Sequence, residues 1–180
     1  MDETISTIGV VEDSYVVSDE ERAGWFRRRQ VDRTITYLDW AINGLPLREH
    51  LKYVDGSSPG EVTVLQNDWA APGVGRQLIE TLLGKESSSN YDVAMPDRRV
   101  AVLFCAYCFD LDCATVTAVI VFSNDVVEWR DVGWQVSYES LDLSDGEFDP
   151  PTFRFDRAQY VAELERLLEL ELSRVSEEAQ

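Results

Sequence analysis

Apolar residues recur along this 180-residue chain in two rhythms, and the change from one to the other marks out the elements. From Thr34 to Ile42 the side chains alternate, with Ile35, Tyr37 and Asp39 on one side and Thr34, Thr36, Leu38, Trp40 and Ile42 on the other. A period of two with one apolar face predicts a strand. Asn43-Gly44 follows, a dipeptide that tolerates positive φ and so predicts a tight turn. Leu45-Pro46-Leu47 leads into a short helical turn through Leu51, Gly56 to Gly60 reads as a loop, and Val62, Val64 and Leu65 predict a strand from Glu61 to Gln66.

The rhythm becomes helical at Pro72, where Val74, Leu78, Ile79 and Leu82 recur at helical spacing until Gly84, a C-terminal cap. Ser87 to Asn90 is a polar linker. Val100–Phe104 and Thr115–Phe122 are dense in β-branched and aromatic residues and read as the arms of a hairpin, which Val126–Trp129 and Trp134–Tyr138 extend into a meander. The last element is the clearest. Asp156 is placed to cap it, Gln159 holds the capping-box position, and Tyr160, Val161, Leu164, Leu167, Leu168, Leu172 and Val175 form one stripe. The pattern predicts a single α+β domain over residues 22–180, mainly an antiparallel meander and hairpin sheet. A mid-chain helix and a C-terminal amphipathic helix pack on it. Ahead of the domain, residues 1–21 carry acidic but no basic side chains and read as an anionic arm, with a short edge strand on Ile5, Ile8, Val10 and Val16.

Composition adds limits to this picture. A hydrophobic content of 44% with 11% aromatics supports a sizeable core and argues against wholesale disorder. The longest apolar run, Cys113 to Asn124, is too short to span a bilayer, so no membrane partner is expected. The first residues lack the basic start and apolar stretch of a secretory signal, and three cysteines, an odd number, suit a reducing compartment. The expectation is a cytoplasmic protein.

Charge changes the picture more. With 34 acidic and 16 basic residues the net charge is −18. Such a surface repels phosphates and anionic headgroups, which argues against direct nucleic-acid binding, and it attracts a basic protein partner over a Debye length of about 10 Å. Arg22, Arg27, Arg28, Arg29 and Arg33 are too few to reverse that field and are expected to pair with the acidic arm or line a strand. A second anionic stretch, with Asp131, Glu139, Asp142, Asp145, Glu147 and Asp149, crosses a loop ending at Pro150-Pro151. Trp129 and Trp134 flank its start, one placed for the core and one for a groove. Aromatic beside acidic residues suit recognition of cations. Together these eight residues are the candidate partner face.

Candidate chemistry is concentrated in one segment. Cys105, Cys108 and Cys113 are all the cysteines of the chain, spaced C-x2-C-x4-C in a turn between two strands. Two thiolates two residues apart at a turn form the usual half of a tetrahedral zinc site, and the third is near enough to join them. Asp110, Asp112, the sole histidine His50, or water are candidates for a fourth ligand. The same three thiols also fit small, partly buried side chains with no metal. A dithiol exchange site fits less well, because the motif follows a strand rather than opening a helix. His50 has no recognisable nucleophile partner, Gly73-Val74-Gly75 lacks the third glycine and the lysine of nucleotide loops, and no G-x-S-x-G is present.

The segment Cys105 to Ala114, followed by Val127-Glu128-Trp129 and by Phe153 to Tyr160, resembles a group of short uncharacterised bacterial proteins, and the Asn43 to Leu47 turn is similar to theirs as well. Those proteins place glycine after the second and third cysteines, where this chain has Phe109 and Ala114. The resemblance implies no activity. The reading from residues is therefore an acidic cytoplasmic binding protein that engages a basic partner, antagonist-like, immunity-like or mimicking nucleic acid. The alternatives are a small zinc protein and a structural subunit that uses the C-terminal stripe as an interface.

Overall fold

The computed structural model describes residues 4–22, 28–51, 60–85, 93–140 and 150–178, and its first element is a long antiparallel ribbon. Strands β1 (Ile8–Arg22) and β2 (Arg28–Ile42) pair along their whole length, from Ile8 opposite Ile42 to Arg22 opposite Arg28. Most of the predicted acidic arm is thus one half of a hairpin, much longer than the short edge strand expected there. The reason lies across the ladder. Tyr15 and Val16 face Ile35 and Thr34, β-formers on both strands, and Glu20 meets Arg28 at 2.8 Å. That exposed ion pair adds about 1 kcal/mol or less.

Asn43 and Gly44 make the predicted turn with φ of 54° and 81°, both positive, and return the chain as β3 (Leu45–Pro46). The helical turn expected next is a short 3₁₀ segment, Leu47–His50. By contrast, the strand predicted from Glu61 to Gln66 pairs only at Val62, which exchanges two 2.8 Å hydrogen bonds with Phe104. The Thr63 hydroxyl donates to the Leu38 carbonyl and accepts from the Leu65 N–H, so side-chain bonds replace a ladder there.

The second sheet is the expected meander, with β4 (Ala94–Met95), β5 (Arg99–Phe104), β6 (Thr115–Phe122), β7 (Val126–Trp134) and β8 (Phe153–Asp156) adjacent in chain order. The two segments predicted around Trp129 and Trp134 are one strand with a bulge. Thr117 opposes Gly133 and Val119 opposes Arg130, so Asp131 and Val132 together face Ala118, with Asp131 at φ 52°. Buried Arg99 fastens the bulge through Nε to Thr117 Oγ1 at 2.7 Å and a guanidinium N–H to the Asp131 carbonyl.

Helix α1 (Val74–Leu82) matches its prediction and ends in paired bonds, Gly84 N–H to Thr81 O and Lys85 N–H to Glu80 O, with Gly84 at φ 70°. Helix α2 (Arg157–Glu178) is capped by Asp156, whose Oδ1 accepts the Gln159 N–H at 2.9 Å. Gln159 does not complete a capping box. Its amide instead clasps the backbone of Ile8, donating to the carbonyl at 2.7 Å and accepting the N–H at 3.3 Å. Tyr160, Leu164 and Leu167 of α2 are buried, as the stripe predicts, but the next place belongs to buried Glu171 while Leu172 is exposed. With 3.6 residues per turn, position 171 continues the 160, 164, 167 face and position 172 falls beside it. The core of the stripe is therefore consumed within the chain. Both helices contact the second sheet, and the core between the layers is aromatic: Trp40 meets Trp129 edge-on at 5.6 Å, Trp129 meets Phe155 at 5.7 Å, and Tyr160 closes the group. No described helix is long and apolar enough to cross a membrane.

Candidate metal centre

The loop between β5 and β6 brings the three cysteines together. Their sulfur atoms all lie within 4.8 Å of one another. Three local features hold the turn: Phe109 N–H donates to the Cys105 carbonyl at 3.1 Å, Cys113 N–H donates to the Asp110 carbonyl at 3.2 Å, and Asp110 Oδ1 accepts the Asp112 N–H at 2.9 Å. Phe109 stands at φ 53°, the left-handed conformation that a glycine adopts without cost. A bulky residue held there costs on the order of 1–2 kcal/mol, and such strain persists only where surrounding contacts impose it. Those contacts are the packing of the Phe109 ring against both hydrophobic clusters, including the smaller one of Tyr37, Val62 and Ala106 beneath the ribbon. Trp69 adds a hydrogen bond from Nε1 to the Tyr107 carbonyl at 3.3 Å, and the Ser137 hydroxyl bonds the Asp112 carboxylate.

The sulfurs are electrostatically unequal. Partial burial works to raise the Cys105 thiol, but the backbone N–H groups of Tyr107 and Cys108 and the other two thiols outweigh it and hold Cys105 below the usual value. Hydrogen bonding to Cys105 and Cys108 pushes Cys113 up to about 12. Sharing protons among three crowded sulfurs is what a soft divalent cation would replace. A tetrahedral zinc about 2.3 Å from each sulfur sets the sulfurs about 3.8 Å apart, so the turn needs at most about 1 Å of side-chain adjustment. The three close cysteines could hold a metal ion.

None of the expected fourth protein ligands joins them among the described residues. His50 sits on its 3₁₀ turn with Nε2 3.2 Å from the Ile42 carbonyl and its ring edge-on to Phe153. The carboxylates of Asp110 and Asp112 are turned to the Asp112 N–H and the Ser137 hydroxyl. Among the described residues, no imidazole or carboxylate stands with the three thiols.

The predicted partner face divides in three. Trp129 is a correction: it has no exposed surface, and its Nε1 donates to the Tyr160 hydroxyl at 3.1 Å, so it serves the core and meets no partner. Asp131 is half-buried at the bulge, where its carbonyl takes the Arg99 bond. Trp134 is half-buried, Glu139 is exposed, and Asp142, Asp145, Glu147 and Asp149 lie outside the described residues. Trp134 and Glu139 share a groove of about 300 Å³ with Glu61, Cys113, Thr115 and Gln135, directly beside the cysteine turn. Glu61 and Gln135 escape a reading of the sequence, since no spacing links position 61 to 134.

A second polar cluster also went unread. Fully buried Asp39 accepts Arg48 Nε at 2.9 Å and Nη2 at 2.8 Å, and the same Nη2 reaches Asp13 at 2.9 Å and the Tyr37 hydroxyl. Burial, and then the Asp13 carboxylate, push Asp39 up to about 7. An odd, polar residue in an alternating strand face, Asp39 among Ile35 and Tyr37, is the one sequence signal for it.

No protein-family model matches the chain, and neither a curated protein nor a solved structure is similar to it.

Proposed function

We propose that this chain is a zinc-binding protein in which Cys105, Cys108 and Cys113 hold the ion and clamp the β5–β6 turn beneath the β1–β2 ribbon. One observation carries the reading: three thiols, drawn from a nine-residue turn, with all sulfurs within 4.8 Å. Three thiolates are a soft donor set that selects zinc over hard cations. Bound zinc would replace the shared protons, and the Cys105 thiolate supplies the first donor. Free thiols of this kind suit a reducing compartment such as the cytoplasm.

Elemental analysis of protein purified without chelator tests this. One zinc per chain is expected, with thiols that resist a disulfide reagent until chelator is added. A metal-free protein with three promptly reactive thiols would defeat it. Cys108→Ser should weaken binding with little effect on the fold, because Cys108 is exposed.

The second reading is that the acidic surface engages a basic protein partner. The groove that places Glu139 and Trp134 with buried Glu61 supports it, in a molecule of net charge −18. Neutralising Glu139, Asp142, Asp145, Glu147 and Asp149 together should abolish capture of arginine-rich peptides, and indifference to that change would refute the reading.

A further inference from the structure

We propose that Cys108 and Cys113 are a peroxide-sensitive pair whose joining as a disulfide releases the ion from the cysteine turn. The proposal rests on the zinc reading and names how that site is emptied. All three sulfurs lie within 4.8 Å of one another, so a thiol that is oxidised has a second one at hand to resolve it. Exposure selects the pair. Cys108 and Cys113 are exposed while Cys105 is half-buried, so an oxidant meets the first two, and their side chains have room to close to the bond length of a disulfide, about 2.05 Å. The Cys113 N–H on the Asp110 carbonyl, at 3.2 Å, turns position 113 back toward 108.

A cysteine on a metal ion is held as the thiolate, which is the nucleophilic form. The Cys108 sulfur attacks one oxygen of hydrogen peroxide. An S–O bond forms, the O–O bond breaks and hydroxide leaves. The Cys113 sulfur then attacks the sulfenic sulfur of Cys108, so that an S–S bond forms, the S–O bond breaks and a second hydroxide leaves. Two protons from solvent turn both hydroxides into water. The sulfurs lose two electrons and the peroxide gains them. With Cys105 as its one remaining thiolate, the ion dissociates. Charge selects the oxidant. Asp110 and Asp112 stand within the turn and the net charge is −18, a field that repels anionic glutathione disulfide and has no hold on neutral hydrogen peroxide.

The test uses the full chain loaded with zinc, hydrogen peroxide at a few equivalents, and a metallochromic dye. Zinc release is expected in step with a fall from three free thiols to one, reversed by a dithiol reductant. Asp110 and Asp112 allow the pair to be mapped, because a proteinase that cuts before aspartate separates Cys113 from Cys108 and leaves Cys105 with Cys108. After alkylation of the free thiol, the label should sit on Cys105 and a disulfide should join the two peptides. A label on Cys108 or Cys113, or release with sulfinic acids and no disulfide, would overturn the pair. Raising salt to about 1 M, where the Debye length is about 3 Å, should speed release by glutathione disulfide severalfold and leave release by peroxide within about twofold. Equal salt dependence would overturn the choice of an uncharged oxidant. A chain that keeps its zinc through peroxide overturns this inference and leaves the metal reading standing. A chain that takes up no zinc overturns the metal reading, and with it the release step.

Discussion

Asp39 is a carboxylate where the alternation of β2 calls for an apolar side chain, and its protonation is tied to the stability of the fold. It shares Arg48 with Asp13, so one guanidinium serves two carboxylates, and burial beside a second carboxylate favours the protonated form of Asp39. Its pKa rises from 3.8 to about 7, so the native state holds the proton more tightly than the unfolded chain. The stabilising share is fully present below about pH 4 and is lost as pH rises through about 7, at about 1.4 kcal/mol per unit of separation. Urea unfolding between pH 5 and 8 should therefore show a shallower pH dependence for Asp39→Asn than for the natural chain, and parallel curves would sink the idea. Tyr160 is the other residue whose single atom matters. Its hydroxyl accepts the Trp129 Nε1–H at 3.1 Å and donates to the Leu82 carbonyl at 3.0 Å, joining sheet and both helices. Tyr160→Phe should cost about 1–3 kcal/mol in denaturant unfolding, because two buried polar groups lose their partner.

Between elements, the contact of α1 with α2 turns on a glycine and a charge. Glu171 accepts the Gln66 N–H at 2.7 Å and the Gln66 side-chain amide at 3.0 Å, which holds a loop whose Gln66 has φ 50°. Its carboxylate lies where a Cβ on Gly75 would be, 2.6 Å away. A helix interior ordinarily gains about 1 kcal/mol from glycine to alanine. Here the clash with a side chain committed to Gln66 outweighs that gain, so Gly75→Ala should lower stability by about 1–2 kcal/mol, in the range of overpacked sites. In a Glu171→Ala background the same change should become neutral or favourable. A double-mutant cycle by chemical denaturation measures this, and additive effects would exclude the coupling.

At the scale of the whole molecule the dominant quantity is the net charge of −18, spread over the ribbon, the cysteine turn and α2. Like charges at this density oppose compaction. Raising monovalent salt from about 10 to about 150 mM shrinks the Debye length from about 30 to about 8 Å and should raise Tm. A fall in Tm would mean that the surface ion pairs, such as Arg28 with Glu20 and Arg166 with Glu163, outweigh the repulsion. Zinc on the proposed site would act at this scale too, since an ion bound only by the folded turn stabilises the whole chain by mass action, and chelation should then lower Tm.

Much of this architecture was already written in local sequence. The Asn43-Gly44 turn, α1 from Pro72 to its Gly84 cap, the capped start of α2 and the meander follow from periodicity and from residues with restricted φ, which act over a few positions. The cysteine turn was legible for the same reason, as its three thiols lie within nine residues. Only the tertiary structure decided that Trp129 is core while Trp134 lines a groove, that Glu61 stands beside both Trp134 and Cys113, that Glu171 replaces Leu172 on the buried face, and that the acidic arm is half of a 15-residue ribbon. Each of these depends on which distant segments pack together. Burial and charge pairing are properties of three-dimensional neighbours, and spacing along the chain carries no record of them.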